Sequence, residues 1–569
     1  MRSLQGIGVS KGLAFGPVYV YEKTDIPIHT APIAPGEAQQ EADKFRNAVE
    51  LTVKQISSIA KAAEGTLGEE NAKVFEAHLD IAEDPALEEM VMDNIHTAHM
   101  NAMRALGEAK ESFAALFREL GDDYFRERVF DLDDVCERIL CNLAGVVPAS
   151  LQFLPEKVIV VAEDLTPSIT ATMDREKVLA FVTETGGKTS HTAIMARTLE
   201  IPAVVGLKEA RAQLPNGEKI IVDGQAGTVL THPDAAAMAE YERKKLRHSQ
   251  EKEALRAILN EPSITLDGRK IELYANIGSP GDIEAVTANN GEGVGLFRTE
   301  FLYMDSTRFP VEEEQFTAYR QVAQGMAGKP VIIRTLDIGG DKTLPYFTFP
   351  KEENPFLGYR AIRMCLDMPE IFKTQLRAIL RASALGRVKI LLPMVISLEE
   401  VRAAKSLLAE CKGELRAQGI AFDEGIKVGV MVETPAAVLM ADAFAKEVDF
   451  FSLGTNDLTQ YVLAVDRGNE SINALFNPYH PAVLHSIKKV IDAAHREGKF
   501  VGMCGEFAGD EQAVPLLLGL GLDELSVSAS SLLAVKKVIR NQHYSHAQRL
   551  AQEVLALTTV AEVEARLGA

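Results

Sequence analysis

The sequence predicts an α/β multidomain protein: an α/β domain carrying an inserted helical subdomain, followed by a (β/α)8 barrel. Three observations predict it. Residues 1–21 and 147–232 share one texture, short extended runs punctuated by Gly. Between them, from about Pro35 to Val146, Gly and Pro thin out and apolar residues recur at helical spacing. After Pro262, about eight β-rich runs alternate with helical stretches over some 300 residues. A chain of 569 residues also exceeds what one hydrophobic core organises, so roughly two to four domains are expected.

The run GIGVSKGLAFGPVYVY opens the α/β domain, and KVIVVAEDL, KVLAFVTE, PAVVG and KIIVDG complete it. The expected boundaries are 1–22 with 147–232 for this domain and 23–146 for the helical subdomain, with roughly four helices. Val74, Phe75, His78, Leu79 and Ile81 form one helical run, which Asp84-Pro85 breaks. Many carboxylates stand beside its apolar stripe of Phe75 and Leu79, in GEENAKVFEAHLDIAEDPALEE, a combination expected to fit a basic partner face with an apolar centre. Residues 233–262 read as a linker, with a charged amphipathic helix over 233–259. The barrel is expected over 263–569, on IELYANI, GVGLFRTE, PVIIRTLDIG, KILLPMV, KVGVMVET, FFSLGTND, FVGMCGE and ELSVSA. A doubly wound open sheet is the alternative, and the number of units favours the barrel.

In such a barrel the working residues sit where strands run into the following loops. Those positions hold Arg298-Thr299-Glu300, Arg334, Asp337, Gly339-Gly340-Asp341-Lys342, Glu433, Asn456-Asp457 and Cys504-Gly505-Glu506, with Arg360 and Arg467 in the loops. Glu433 and Asp457 suit a hard, oxygen-seeking cation such as Mg²⁺. The arginines offer planar forks to carboxylate and phosphate groups. Singly, an Arg or Asp here is more often a surface ion pair, and Cys504 a small buried hydrophobe. Accumulation on one rim favours Mg²⁺-dependent phosphoryl or enolate chemistry on a small anion, which this pattern alone leaves unnamed.

A second candidate lies in TGGKTSHTAIMARTLEIPAVVG, Thr185–Gly206. Gly186-Gly187 permit a tight turn, Thr189 and Ser190 can cap a helix, and His191 falls in its first turn. Unpaired N–H groups and the dipole at a helix start stabilise an anion, and Thr189, Ser190 and Thr192 can add hydroxyl contacts. The other eleven histidines are assigned to packing and local bonding.

Composition excludes other classes. The balance of 81 Asp+Glu against 60 Lys+Arg argues against nucleic acid and leaves acidic faces for a basic protein partner. No apolar run is long enough for membrane insertion, and MRSLQGIGVSKG lacks a signal peptide's apolar stretch. Five cysteines without a C-x-x-C pair fit a reducing, cytoplasmic setting.

GGKTSHTAIMAR, GLFRTEFLYM, IRTLDIGGDK, NPFLGYRAIR, GVMVETPAA, SLGTNDLTQY and GMCGEFAGD, in this order, resemble Enzyme I of the bacterial sugar phosphotransferase system, the phosphoenolpyruvate–protein phosphotransferases. The likeness runs from GIGVSKG to ELSVSA. It implies a swivelling domain phosphorylated on His191, with the hydroxyl of Thr170 supporting that residue. Phosphoenolpyruvate would be held by Arg298, Arg334, Asn456, Asp457 and Arg467, with Lys342 and Arg360 lining the pocket, and Mg²⁺ by Glu433 and Asp457. Cys504 would protonate the departing enolate to pyruvate. The helical insert would dock the phosphocarrier protein HPr for the first step of sugar uptake, and the barrel would form a homodimer, to which the C-terminal helices of 532–568 offer apolar faces.

A pyruvate phosphate dikinase or phosphoenolpyruvate synthase is disfavoured, because no Gly-rich nucleotide loop precedes the His segment. A nitrogen-regulatory paralogue with an N-terminal sensory domain is not expected, since the chain starts at GIGVSKG. Intact His191, Cys504, Glu433 and Asp457 speak against a non-catalytic scaffold.

Overall fold

In the computed structural model the chain forms two compact units, Met1–Glu251 and Lys252–Ala569. The structure describes all residues except 23, 25, 29, 30, 68–73, 120–122, 149, 188, 189, 200, 305, 341, 343, 345, 470 and 569. For 35, 62–67, 117–119, 123–128, 191, 198, 248 and 252 it describes the backbone alone.

The first unit is built on an eight-stranded sheet of β1 (Arg2–Gln5), β2 (Ile7–Ser10), β3 (Leu13–Val20), β4 (Val158–Ala162), β5 (Val178–Thr183), β6 (Ala203–Val205), β7 (Lys219–Asp223) and β8 (Thr228–Thr231), in the order β1-β8-β7-β3-β4-β5-β6-β2. The four central strands β3 to β6 run parallel. β4, the apolar run VIVVA, is buried throughout, as a strand covered on both faces must be. β3 and β4 pair side by side, Val18 with Ile159 and Val20 with Val161, although the whole helical block lies between them in sequence.

That block holds five α-helices among the described residues, Ala38–Leu67, Val74–Ala82, Pro85–His96, Ala102–Glu119 and Asp123–Ala144. The count is one above the rough four expected; Asp84, at the expected break, ends one helix and caps the next, accepting from Ala86 N at 2.7 Å, with Pro85 in the first turn. Phe75 corrects a second expectation. It is fully buried in the core of the block with Phe45, Leu87 and Val91, so it offers nothing to a partner, and Leu79 is half-buried. The acidic stretch 68–73 of that run lies outside the described residues. The helix Ala235–Ala257 then follows; its charges leave little apolar face, and Tyr241 alone is buried among its described side chains.

The second unit is a closed parallel barrel of β9 (Glu272–Ile277), β10 (Val294–Phe297), β11 (Pro330–Arg334), β12 (Arg387–Leu392), β13 (Lys427–Val432), β14 (Phe450–Leu453), β15 (Phe500–Met503) and β16 (Glu524–Ser528), with β16 pairing back to β9. Outward side chains of the strands pack on amphipathic helices such as Pro481–Arg496, which buries Val483, Leu484, Ile487, Val490 and Ile491 on one stripe. The apolar faces of the C-terminal helices are buried within the unit, through Val535, Ile539, Ala551, Val554 and Val563, so they close the barrel instead of offering a free contact face. No described helix is long and apolar enough to cross a membrane.

Candidate functional site

A cavity of about 470 Å³ opens at the C-terminal ends of the barrel strands. Its lining includes Arg298, Arg334, Lys342, Arg360, Glu433, Asn456, Asp457, Arg467 and Cys504, so every residue that the resemblance assigns to the barrel site converges there. Register explains the convergence. Arg334 ends β11, Glu433 and Cys504 directly follow β13 and β15, and Asn456 and Asp457 open the helix Thr455–Leu463 after β14.

The floor is a buried charge lattice. Arg334 pairs with Glu300 and, at 2.9 Å, with Asp337. Arg360 meets the other oxygen of Asp337 at 2.9 Å, and Lys342 meets Glu300 at 2.8 Å. Gly339 makes that reach possible: it takes φ +108° in the turn before Lys342, and a Cβ there would lie 2.5 Å from the carbonyl oxygen of Tyr359. Burial pushes the Asp337 carboxyl up, but Arg334, Lys342 and Arg360 outweigh it and hold the group well below the usual range. Three cations therefore face two carboxylates, and exposed Arg298 and half-buried Arg467 add charge at the rim.

Glu433 and Asp457 behave differently. Burial, then the nearby carboxylates of Asp457 and Asp337, push Glu433 up to about 8. Asp457 Oδ1 is buried without a hydrogen bond; Arg467 stands 4.0 Å from it, and Arg360 stands 3.9 Å from Oδ2. Glu433 Oε1 accepts from Met394 N at 2.6 Å, and the undonated Asp457 Oδ1 beside it fits a divalent cation. No group of three or more His, Cys, Asp or Glu that could hold a metal occurs among the described residues.

Cys504 is 3% exposed among Leu296, Ile332, Leu391 and Met431. Ser452 Oγ donates to its Sγ at 3.3 Å. Burial pushes the thiol up to about 11, so it is an S–H acid at neutral pH. Asn456 is positioned by Glu506 N, which donates to its Oδ1 at 3.1 Å.

In the first unit, His191 is the first residue of the helix His191–Thr198. Ser190 is its N-cap, accepting from Ala193 N at 3.4 Å and donating to Gly187 O at 2.9 Å. Gly186 takes φ +99° in the turn ahead, where a Cβ would press on Ser190 Oγ at 2.9 Å. Thr192 corrects the expected hydroxyl cluster: its Oγ1 is committed to Asp164 at 2.9 Å and to Leu165 O at 3.2 Å. Thr170, in the helix Pro167–Thr172, donates to Thr166 O and Pro167 O, which leaves its oxygen free to accept. Lys188, Thr189, Asp341 and the side chain of His191 lie outside the described residues.

Three family models match the chain: PEP-utilising enzyme, N-terminal, over 5–128; PEP-utilising enzyme, mobile domain, over 154–227; and PEP-utilising enzyme, PEP-binding domain, over 252–544. Phosphoenolpyruvate-protein phosphotransferases of Bacillus sp. (strain S) and Geobacillus stearothermophilus are each 48% identical over 562 residues, 99% of this chain and 97% of theirs. The protein of that description from Bacillus subtilis (strain 168) is 48% identical over 565 residues, 99% of both chains. The chain belongs to the phosphoenolpyruvate–protein phosphotransferase family.

Membership in this family gives weight to residues that the sequence alone left without a role. Glu300 and Asp337 were visible at strand ends, but their task of holding Arg334, Arg360 and Lys342 appears only in three dimensions. Asn473 and Phe476, which also line the cavity, carried no sequence signal because the short helix Asn473–Leu475 has no periodicity to read.

Proposed function

We propose that this enzyme transfers the phosphoryl group of phosphoenolpyruvate to His191, releases pyruvate, and passes the group on to HPr. The observation that carries the proposal is one cavity joining an excess of fixed cations, two neighbouring acidic groups of which Asp457 Oδ1 has no donor, and a buried neutral thiol.

Arg298, Arg334, Arg360, Lys342, Arg467 and Asn456 bind the carboxylate and phosphate groups of phosphoenolpyruvate. Because Glu300 and Asp337 already hold the inner cations in place, little reorganisation is needed as charge moves to the leaving enolate. Glu433 and Asp457 hold Mg²⁺, which when bound neutralises charge on the phosphoryl oxygens. The neutral imidazole of His191 attacks phosphorus in line, and the bond to the enolate oxygen breaks. Cys504 then gives its proton to the enolate carbon, which makes pyruvate and stops the reverse attack. On His191 the phosphoryl group meets the start of the helix His191–Thr198, whose free N–H groups favour an anion. The Thr170 hydroxyl is assigned to support the imidazole tautomer that reacts.

The reading divides the chain into a phosphohistidine domain (1–22 and 147–232), a carrier-docking helical subdomain (23–146), a linker (233–262) and the barrel (263–569), and places it in the cytoplasm. With Phe75 buried, the apolar centre of the docking surface comes from exposed side chains such as Leu116 and Phe130. The barrel forms the homodimer through exposed residues such as Leu439, Met440 and Leu475. Sedimentation of the full chain with phosphoenolpyruvate and Mg²⁺ checks that assignment, and a strict monomer contradicts it. The activity is tested by incubating the chain with labelled phosphoenolpyruvate and Mg²⁺, with and without HPr. An acid-labile label that HPr removes is expected; labelling by ATP and not by phosphoenolpyruvate overturns the proposal.

A further inference from the structure

A (β/α)8 barrel usually fills its interior with layers of Val, Ile and Leu. This one places a carboxyl there. Glu524, the first residue of β16, is 1% exposed, and its Oε1 has no hydrogen-bond partner. Two inward glycines make the room. A Cβ on Gly295 of β10 would lie 2.3 Å from Oε1, and one on Gly502 of β15 would lie 1.7 Å from Oε2. The carboxyl thus reaches over Gly502, and in the sheet register Gly502 pairs with Glu524 on one side and Ser452 on the other. Ser452 is the residue whose hydroxyl donates to the sulfur of Cys504.

We propose that Glu524 recharges Cys504 with a proton after each turnover, through the hydroxyl of Ser452. The inference rests on the reading of Cys504 as the enolate's acid. Once the thiol has protonated the enolate, its thiolate lies buried beneath the product. The Ser452 O–H bond then breaks as an S–H bond forms; the Glu524 carboxyl, whose Oε1 has no partner at rest, turns across Gly502 to the serine oxygen, and its O–H bond breaks as the proton passes. Thiolate and acid become thiol and carboxylate, and no other reactant is consumed.

The surroundings suit this direction. Lys389 from β12, Glu272 and Tyr274 from β9, Asp523 beside it in the chain and Cys504 from β15 are the titratable groups whose charge couples to Glu524. Burial, with the push of Glu272 and Asp523 and against the pull of Lys389, raises Glu524 to about 8. The thiol stands at about 11, so transfer from carboxyl to thiolate runs downhill. The carboxylate regains its proton from water at the opposite end of the barrel. There a second cavity of about 470 Å³ is lined by Lys270, Glu272, Tyr274, Glu292, Lys329 and Arg387, and Glu272 is the register partner of Glu524.

The test follows the proton itself. The full chain with Mg²⁺, phosphoenolpyruvate and ¹⁴C-pyruvate in D₂O gives two rates, label exchange into phosphoenolpyruvate and deuterium entry into the pyruvate methyl group. In Glu524→Gln and in Ser452→Ala the ratio of deuterium entry to label exchange should fall at least about tenfold, with Glu524→Asp restoring part of it. A merely structural role lowers both rates together and leaves the ratio unchanged, and that result overturns the inference. Cys504→Ala separates the two readings: if it exchanges label and takes up deuterium as the native chain does, the assignment of Cys504 itself falls. A poorly folded Glu524→Gln does not block the test, because each ratio is internal to one sample and Ser452→Ala reports independently.

Discussion

Around the barrel mouth, charged side chains are buried and locked to one another; before His191, the described residues form a glycine turn, a serine cap and a helix start. Arg334 and Arg360 are held by Glu300 and Asp337 with almost no solvent contact. In the loop before His191, the neighbouring ion pair of Arg211 with Glu184 and Glu163 is partly exposed and grips the loop from outside. The difference teaches a division of labour. A site that must stabilise shifting charge keeps its cations fixed in a dry setting, where they count most. On the proposed reading, the site that accepts a phosphoryl group and gives it up uses backbone dipoles, which bind more gently.

Replacing residues on either side should separate the two roles. The largest effect is expected from His191→Ala, which should abolish both labelling by phosphoenolpyruvate and exchange with phospho-HPr; residual acid-labile label would point to another carrier. Next, Cys504→Ala should slow net turnover with phosphoenolpyruvate by roughly 10²–10⁴-fold. It should spare exchange between His191 and phospho-HPr, and equal, small losses in both would reduce Cys504 to packing.

Asp337→Asn strips the lattice of its central anion and leaves Arg334, Arg360 and Lys342 under-compensated. The cost should be about 3–5 kcal/mol, visible as an earlier melting transition of the barrel in scanning calorimetry of the full chain. Because the folded pKa of Asp337 lies below its unfolded value of about 3.9, its contribution is complete above that pH and fades as pH falls through the folded value. The variant should therefore lose less stability on acidification than the native chain. The smallest effect is expected at the rim of the other site. Arg211→Ala removes a partly exposed pair, should cost under about 1 kcal/mol, and should change the rate of His191 labelling only slightly. A loss as deep as that of Cys504→Ala would show that the loop also depends on fixed charge.

Much of this architecture was legible in the sequence, for identifiable reasons. The eight barrel strands declared themselves because buried parallel strands read as short apolar runs, and the polar residues closing each run marked the mouth. Ser190 and His191 were placed at a helix start by local turn and cap chemistry alone. What failed depended on direction. Helical spacing revealed an apolar face on Val74–Ala82 without saying that Phe75 points into the core, and a hydroxyl at Thr192 could not be told from one already committed to Asp164. The pairing of Glu300 and Asp337 with three cations, and the room that Gly295 and Gly502 leave for Glu524, join residues far apart in the chain that no local pattern links.

The most direct measurement of the central claim is rapid quench of the full chain with ³²P-phosphoenolpyruvate and Mg²⁺, counting pyruvate and locating the label by mass spectrometry. The account predicts one pyruvate released per chain in the first turnover and a single acid-labile phosphoryl group on His191. Label on any other residue, or pyruvate released without label on the chain, would contradict it.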